Sequence, residues 1–265
     1  RENLRYAMVG SGSWATALVK LLLNNQESIG WYIRSQKNID NIKSCHHSSS
    51  YLESVSLDPN RLRMSTDINE VIDQADVIVF AVPSAYFLET MSKFKGSLKD
   101  KFIISAIKGF VDEKNLTIAE YFNEIHNIPY DRIGIVSGPS HAEEVAMERL
   151  SYLTLTSKHI EIAKAMCGIF ACSYIKTTPG TDIYGVEYAA ALKNIYAIAA
   201  GICHGLGYGD NFMAVLMTNA FNELATFMNG THPDSTREIN TSAYLGDLLV
   251  TGYSQFSRNR TFGSM

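Results

Sequence analysis

The sequence predicts an α/β protein in which a mostly parallel sheet with covering helices is followed by an all-helical domain. Short β-prone runs alternate with helix-length amphipathic segments from residue 4 to about residue 178. A glycine-rich turn directly follows the first of these runs. After residues 177–182 the strand patterns stop and long helical patterns take over. We therefore expect a dinucleotide-binding domain at 1–180 and a helical substrate domain at 181–265.

Strand and helix candidates can be placed along the chain. Clear strands are expected at 4–9 (LRYAMV), 76–82 (DVIVFAV), 101–107 (KFIISAI) and 132–137 (RIGIVS). Helices are expected between them, for example at 13–25 and 115–126. The helical domain shows three long patterns, roughly 184–204, 211–229 and 240–254. Strands that alternate with helices are typical of a parallel sheet.

Composition limits the classes of function. The chain has 265 residues, of which 46% are hydrophobic and 19% charged, which suits one large core or two moderate ones. A net charge of −4 gives no overall attraction for nucleic acid or anionic membranes. Four scattered cysteines form no CxxC pair or zinc-ligand set, so we expect a reducing compartment and no metal. With no signal-peptide pattern and no apolar run of about 18 residues, we expect a cytoplasmic protein without membrane insertion.

The turn GSGSWA, residues 10–15, has the features of a phosphate cradle. It matches the pattern G-x-G-x-x-G/A between a predicted strand and a predicted helix. Gly10 would allow the tight turn, and Gly12 would let the backbone approach a pyrophosphate. Ala15 would permit close packing of the helix on the sheet. The alternative is a glycine turn that only joins strand and helix.

The end of the second strand bears on the choice of cofactor. A free ribose 2′-hydroxyl is usually bound by an acid about 20 residues after the turn. Here the segment SIGWYIRS supplies Arg34 instead, which suits a 2′-phosphate. NADP is therefore favoured over NAD, without excluding NAD. An exposed arginine without a ligand is the alternative.

Further candidates stand where later strands end, at the edge that forms the ligand crevice in such sheets. Lys108 follows the third strand candidate and could direct its ammonium to a phosphate or carbonyl oxygen. An exposed loop lysine is the alternative. Gly138 and Ser140 follow the fourth strand candidate. Ser140 with Glu143 also matches an S-x-x-E capping box, so the serine is either a helix cap or a ligand.

Lys193 stands among apolar neighbours in the helical pattern EYAAALKNIYAIAAG and has no countercharge on its own helix face. Because a buried ammonium needs an opposite charge, we expect a partner from elsewhere, and Asp247 in GDLLV is the candidate. With that partner Lys193 would stay protonated and could give a proton to a ketone oxygen during hydride addition. Asn194 could hydrogen-bond a substrate hydroxyl, and Arg258 could bind a phosphate. The alternatives are a capping or surface role for Asp247 and a solvated basic turn at 257–260.

Six segments, in order over nearly the whole chain, resemble the NAD(P)-dependent glycerol-3-phosphate dehydrogenases of the bacterial type. They are GSGSWATAL, AVPS, IKG, SGPSHAEEVA, ALKNIYAIAAGICHGLGYGDN and GDLLVTGYSQFSRNRTFG. The resemblance implies reversible reduction of dihydroxyacetone phosphate to sn-glycerol 3-phosphate for glycerophospholipid synthesis. It implies cofactor contacts by Ser13, Trp14, Arg34, Lys108, Ala142 and Arg258. It implies substrate contacts by Lys108, Gly138, Ser140, Lys193, Asp247, Ser257, Arg258 and Asn259, with Lys193 as the catalytic proton acceptor.

The sequence departs from that family at two points, and two other functions stay open. The family usually has glycine where Ala15 stands, and its members continue beyond the position of Met265 through further helices. We therefore expect the helical domain to be incomplete at its C-terminus. One alternative is a reductase of an unphosphorylated hydroxy or keto acid, because Arg258 suits carboxylate and phosphate alike. Another is a non-catalytic nucleotide sensor. A homodimer also stays open.

Overall fold

The computed structural model describes residues 4–111 and 114–265, and within them an eight-stranded sheet forms the centre of the fold. The strands are β1 (Tyr6–Val9), β2 (Ile29–Tyr32), β3 (Leu62–Ser65), β4 (Val77–Phe80), β5 (Phe102–Ser105), β6 (Ile133–Ser137), β7 (Ser151–Ser157) and β8 (Ile175–Gly180). Their order is β3-β2-β1-β4-β5-β6-β7-β8. Neighbours are parallel except β6 and β7. This confirms the predicted mostly parallel sheet.

Helices cover the sheet and then form the last third of the chain. Those between strands are α1 (Ser13–Leu22), α2 (Gln36–Cys45), α3 (Ile68–Asp73), α4 (Phe87–Ser92), α5 (Ile118–His126), α6 (Ala142–Ala146) and α7 (Ile160–Phe170). Those after β8 are α8 (Ile183–Gly205), α9 (Asp210–Thr231), α10 (Asp247–Tyr253) and α11 (Arg258–Ser264). The predicted helical C-terminal region is confirmed. No helix among the described residues is both long and apolar enough to cross a membrane.

The structure differs from the sequence expectations in some elements. The four strand candidates are β1, β4, β5 and β6, whereas β3, β7 and β8 were not among them. Strand β8 (Ile175–Gly180) buries only one residue fully, so its sequence has no strong apolar pattern and its pairing with β7 decides its structure. The third helical pattern is interrupted, since a π-helical turn at Ser242–Gly246 precedes α10.

Both faces of the sheet are buried, as expected for parallel strands covered on two sides. Met8 packs in the hydrophobic cluster on one face and Val9 in the cluster on the other, because successive side chains of a strand alternate. The second cluster continues into α8, α9 and α10 through Val186, Met217 and Leu248. The helical region therefore shares a core with one face of the sheet, and α8 packs against β6 while α10 packs against α8.

Candidate functional site

The glycine turn lies at the switch point of the sheet, where β1 is flanked by β2 and β4. Gly10 has φ +132°, and a Cβ atom there would lie 2.6 Å from the Ala81 carbonyl oxygen, so only glycine fits. The Trp31 indole donates a hydrogen bond of 2.6 Å to the Gly10 carbonyl and fixes the turn. No heavy atom lies within 4 Å of a Cβ built on Gly12, which precedes α1. This open cradle beside helix amides fits a pyrophosphate.

Lys108 lies close to this turn. Trp14, in the first turn of α1, donates its indole N–H to the Ala106 carbonyl at 3.1 Å. The Lys108 ammonium lies 5.4 Å from the centroid of the Trp14 ring, within the range of a cation–π contact. The side chains of Ser13 and Trp14 are partly exposed at the start of α1. The structure thus brings the predicted lysine to the cradle rather than into bulk solvent.

Lys193 and Asp247 form a buried ion pair. The Lys193 Nζ lies 2.5 Å from the Asp247 Oδ1, and the two side chains are 5% and 2% exposed. Apart from this ion pair, the two buried Asp247 oxygens have no hydrogen-bond partner among the described residues. Asp247 is therefore neither a cap with a bonded side chain nor a surface acid.

Burial lowers the pKa of Lys193 to about 7, although the charge of Asp247 acts in the opposite direction. The charge of Lys108 lowers that pKa further. The charge of Asp247 thus favours the protonated lysine, as expected, while desolvation opposes it. A group that titrates near neutral pH can both give and take a proton.

A second buried ion pair holds the start of α8 near the start of α10. The Arg237 guanidinium donates to both carboxylate oxygens of Asp182, at 2.5 and 3.1 Å. Asp182 is the N-cap of α8, and it accepts a hydrogen bond of 2.6 Å from the Tyr244 hydroxyl in the π-helical turn. Because that turn leads directly into Asp247, the network orients the two helices that carry the Lys193–Asp247 pair.

Asn194 connects three elements. Its amide donates to the Ala190 carbonyl at 3.2 Å and to the Lys108 carbonyl at 3.4 Å. Its oxygen accepts a hydrogen bond of 2.8 Å from the Asn259 amide. The two amide protons of Asn194 are thus directed to backbone carbonyls, and its oxygen alone has accepting capacity left. Ser257 is the N-cap of α11 and accepts from the Arg260 amide at 3.3 Å.

The segment after β6 reaches the same crevice. Gly138 has φ +102°, and a Cβ there would lie 2.8 Å from the Tyr152 carbonyl oxygen. The Ser140 hydroxyl is buried and donates to the Gly138 carbonyl at 3.0 Å. The capping alternative for Ser140 is therefore wrong, because α6 begins at Ala142 with His141 as its N-cap and no side-chain cap bond.

Two predicted arginines lie apart from these contacts. Arg34 and Arg258 are exposed, and neither makes a hydrogen bond or ion pair with another described residue. The Arg34 charge is close enough to lower the pKa of Glu89, after the larger effect of Lys93. Both guanidinium groups are therefore available to a ligand.

His141 and a pair of helix glycines belong to the site but were not predicted. The Nε2 atom of His141 is buried with no hydrogen-bond partner among the described residues. Burial and the charge of Lys108 lower the pKa of this imidazole. A titratable residue inside SGPSHAEE was the available signal.

Gly201 lies against the Arg260 carbonyl, and Gly205 lies against Ser264, so small residues four apart let α11 pack closely on α8.

The fold and site together define a dinucleotide-dependent oxidoreductase with a lysine–carboxylate pair at the crevice. Residues 5–163 match the family model described as the NAD-dependent glycerol-3-phosphate dehydrogenase N-terminus. Residues 182–265 match the model for the C-terminus of the same enzymes. The chain therefore belongs to the NAD-dependent glycerol-3-phosphate dehydrogenase family, which confirms the resemblance.

Individual relatives agree with this assignment. The chain is 34% identical over 262 residues to glycerol-3-phosphate dehydrogenase [NAD(P)+] of Exiguobacterium sp., covering 97% of this chain and 76% of that one. It is 36% identical over 269 residues to the enzyme of the same name from Latilactobacillus sakei, with 99% and 78% covered. The crystal structure of glycerol-3-phosphate dehydrogenase from Coxiella burnetii matches with a TM-score of 0.87 and 26% identity, covering 98% and 79%. The protein is thus an NAD(P)-dependent oxidoreductase of this family.

Proposed function

We propose that the protein catalyses the reversible reduction of dihydroxyacetone phosphate to sn-glycerol 3-phosphate with NADPH or NADH, for glycerophospholipid synthesis. The observation that carries this proposal is the buried Lys193–Asp247 pair next to Lys108 and the nucleotide cradle. The relatives named glycerol-3-phosphate dehydrogenase [NAD(P)+] belong to the same family, and the chain matches about three quarters of the length of each.

The chemistry proposed for Lys193 is proton transfer. The reduced nicotinamide supplies a hydride to the ketone carbon when the cofactor is bound. The Lys193 ammonium then gives a proton to the ketone oxygen as negative charge develops there, and in the reverse direction the neutral amine takes that proton. A pKa of about 7 suits both directions. Asp247 holds the ammonium in place and opposes the loss of its charge.

The cations around the crevice support a phosphorylated substrate. We assign the substrate phosphate to Lys108, Arg258 and Asn259. Ser257, just before α11, and Ser140, just before α6, are assigned to the same substrate site. Arg258 begins α11, and its exposed fork can bind two phosphate oxygens. Asn194 is assigned to positioning, because its amide protons are directed to the Ala190 and Lys108 carbonyls.

For the cofactor we propose a preference for NADP. The exposed Arg34 follows β2, and its neighbour Ser35 caps α2 by accepting from the Asn38 amide. A guanidinium beside a helix N-terminus favours a 2′-phosphate. Gly10, Gly12, Ser13, Trp14, Ala142 and Arg258 complete the proposed cofactor contacts.

The remaining proposals concern organisation. We propose that the two domains divide into 1–180 and 181–265, which is supported by the end of β8 at Gly180 and the start of α8 at Ile183. We also propose a cytoplasmic location, supported by four free cysteines among the described residues. A homodimer is the proposed oligomeric state, and light scattering coupled to gel filtration tests it.

The decisive experiment follows NADPH and NADH oxidation with dihydroxyacetone phosphate in the protein and in Lys193→Met. Loss of the proton donor is expected to lower kcat by roughly 10²–10⁴-fold while cofactor binding, followed by NADPH fluorescence, stays the same. Lys164→Ala is the control, because that lysine is exposed on α7. Turnover of a carboxylic keto acid but not of the ketone phosphate would favour the alternative reductase. Unchanged turnover in Lys193→Met would contradict the mechanism.

A further inference from the structure

Glu187 is a buried carboxylate that the proposed chemistry does not use. It lies on α8, is 4% exposed, and accepts hydrogen bonds from backbone amides at the start of α5. The Ile118 amide lies 3.1 Å from Oε1, and the Ala119 amide lies 3.3 Å from both Oε1 and Oε2. A residue of the helical region thus holds the first turn of a helix that packs on the sheet.

The first turn of α5 shows why this contact is specific. Thr117 and Glu120 form a complete capping box, in which each side chain accepts from the backbone amide of the other. The box leaves the Ile118 and Ala119 amides without an intrahelical acceptor. Glu187 accepts from both of these amides. Every amide in the first turn of α5 is therefore satisfied only when α8 is docked.

Glu187 also shares a face of α8 with Asn194, because seven residues make two helical turns. Asn194 donates to the carbonyl of Lys108, and Glu187 accepts from Ile118 and Ala119. One face of α8 therefore binds the chain at Lys108 and again at the start of α5.

Contacts between those two points connect them. The Val111 amide donates to the Leu116 carbonyl at 2.8 Å, directly before the capping box. The Phe110 ring lies 5.3 Å from the ring of Tyr188, the neighbour of Glu187 on α8. Because Val111 and Phe110 lie between Lys108 and these contacts along the chain, we expect a shift at the start of α5 to reach Lys108.

We infer that Glu187 is a positioning residue, which with Asn194 fixes the segment carrying Lys108 against α8 and so sets the lysine over the nucleotide cradle. This inference rests on the proposed function, in which Lys108 contacts the substrate. Because Lys108 binds the substrate before and during the reaction, loss of the anchor is expected to act mainly on KM.

The test compares Glu187→Ala and Glu187→Gln with Glu124→Ala, which changes an exposed glutamate on α5, the helix whose first amides Glu187 binds. Glu187→Ala is expected to raise KM for dihydroxyacetone phosphate by about 10-fold or more, with kcat within about 3-fold. Gln keeps one acceptor oxygen for the two amides and is expected to restore most of the affinity. Glu124→Ala is expected to behave as the unchanged protein.

Amide hydrogen exchange of the peptide from Lys108 to Ala119 provides a readout that needs no turnover. Exchange is expected to be faster in Glu187→Ala and close to normal in Glu187→Gln and Glu124→Ala. Unchanged exchange in Glu187→Ala would overturn the anchor. Faster exchange with an unchanged KM would overturn its connection to Lys108.

If the protein itself does not turn over dihydroxyacetone phosphate while exchange responds as expected, the proposed function fails and the anchor stands. Should Glu187→Ala not fold, the Gln variant is compared with Glu187→Met, which removes the acceptor but keeps the length.

Discussion

Replacing Asp247 with asparagine tests whether its charge sets the protonation of Lys193. The change keeps the shape of the side chain but removes the charge 2.5 Å from the ammonium. At an effective dielectric constant of about 20, that attraction is roughly 6–7 kcal/mol. Measured couplings between close charge pairs are smaller or similar, about 1.5–7 kcal/mol, and a coupling of 3 kcal/mol corresponds to about two pKa units.

The pKa of Lys193 should therefore fall from about 7 to about 5 or lower in Asp247→Asn. At pH 7 the protonated fraction then drops from about one half to about 1%, so ketone reduction should slow by about 50-fold. Reduction needs the ammonium, and its rate should fall as the pH rises through the pKa. Oxidation of glycerol 3-phosphate needs the neutral amine, and its rate should rise over the same interval.

The assay follows NADPH oxidation with dihydroxyacetone phosphate and the reverse reaction between about pH 5 and pH 9. The falling limb of reduction is expected to move about two units towards acid in Asp247→Asn. Asp100→Asn is the control, because that side chain is 90% exposed. A thermal unfolding curve shows whether each variant is folded. A limb that stays near pH 7 in a folded Asp247→Asn protein would refute the reasoning.

Other substitutions test the remaining parts of the site. Arg34→Ala should raise KM for NADPH by about 10–100-fold, the value of a charge-assisted hydrogen bond, and KM for NADH much less; equal losses would argue against the 2′-phosphate role. Gly201→Ala places a Cβ against the Arg260 carbonyl, so the melting temperature should fall and KM for the ketone should rise. Gly230→Ala is the control, because no atom lies within 4 Å of the new Cβ, and the substitution should stabilise α9 by about 0.5–1 kcal/mol. Equal effects of the two substitutions on the melting temperature would refute the packing argument. Burial raises the pKa of Glu187 from 4.5 to about 8, so the folded state binds the extra proton and stability should decrease as pH rises between these values. Urea unfolding near pH 5 and pH 8 should show this loss, and a similar slope in Glu187→Gln would contradict the assignment.

The sequence predicted those features that follow from local chemistry. The glycine turn was predictable because a strand, Gly10 and a helix follow one another within a few residues, and only glycine permits that turn. The need of Lys193 for a countercharge was also predictable, because its own helix face offers none. Strands β3 and β8 were not predicted, because pairing with a neighbouring strand rather than an apolar pattern stabilises them.

The tertiary structure alone decided which atoms meet and how strongly water is excluded. The Ser140 hydroxyl bonds the Gly138 carbonyl rather than an amide of α6, and Asn194 bonds the Lys108 carbonyl, 86 residues away along the chain. The sequence does not single out Glu187, because its hydrogen-bond partners lie on α5, 69 residues away along the chain. The pKa of Lys193 depends on the depth of burial and on the charges that the fold brings near it. Hydrogen bonds and desolvation depend on distances in space, which residue spacing along one element does not fix.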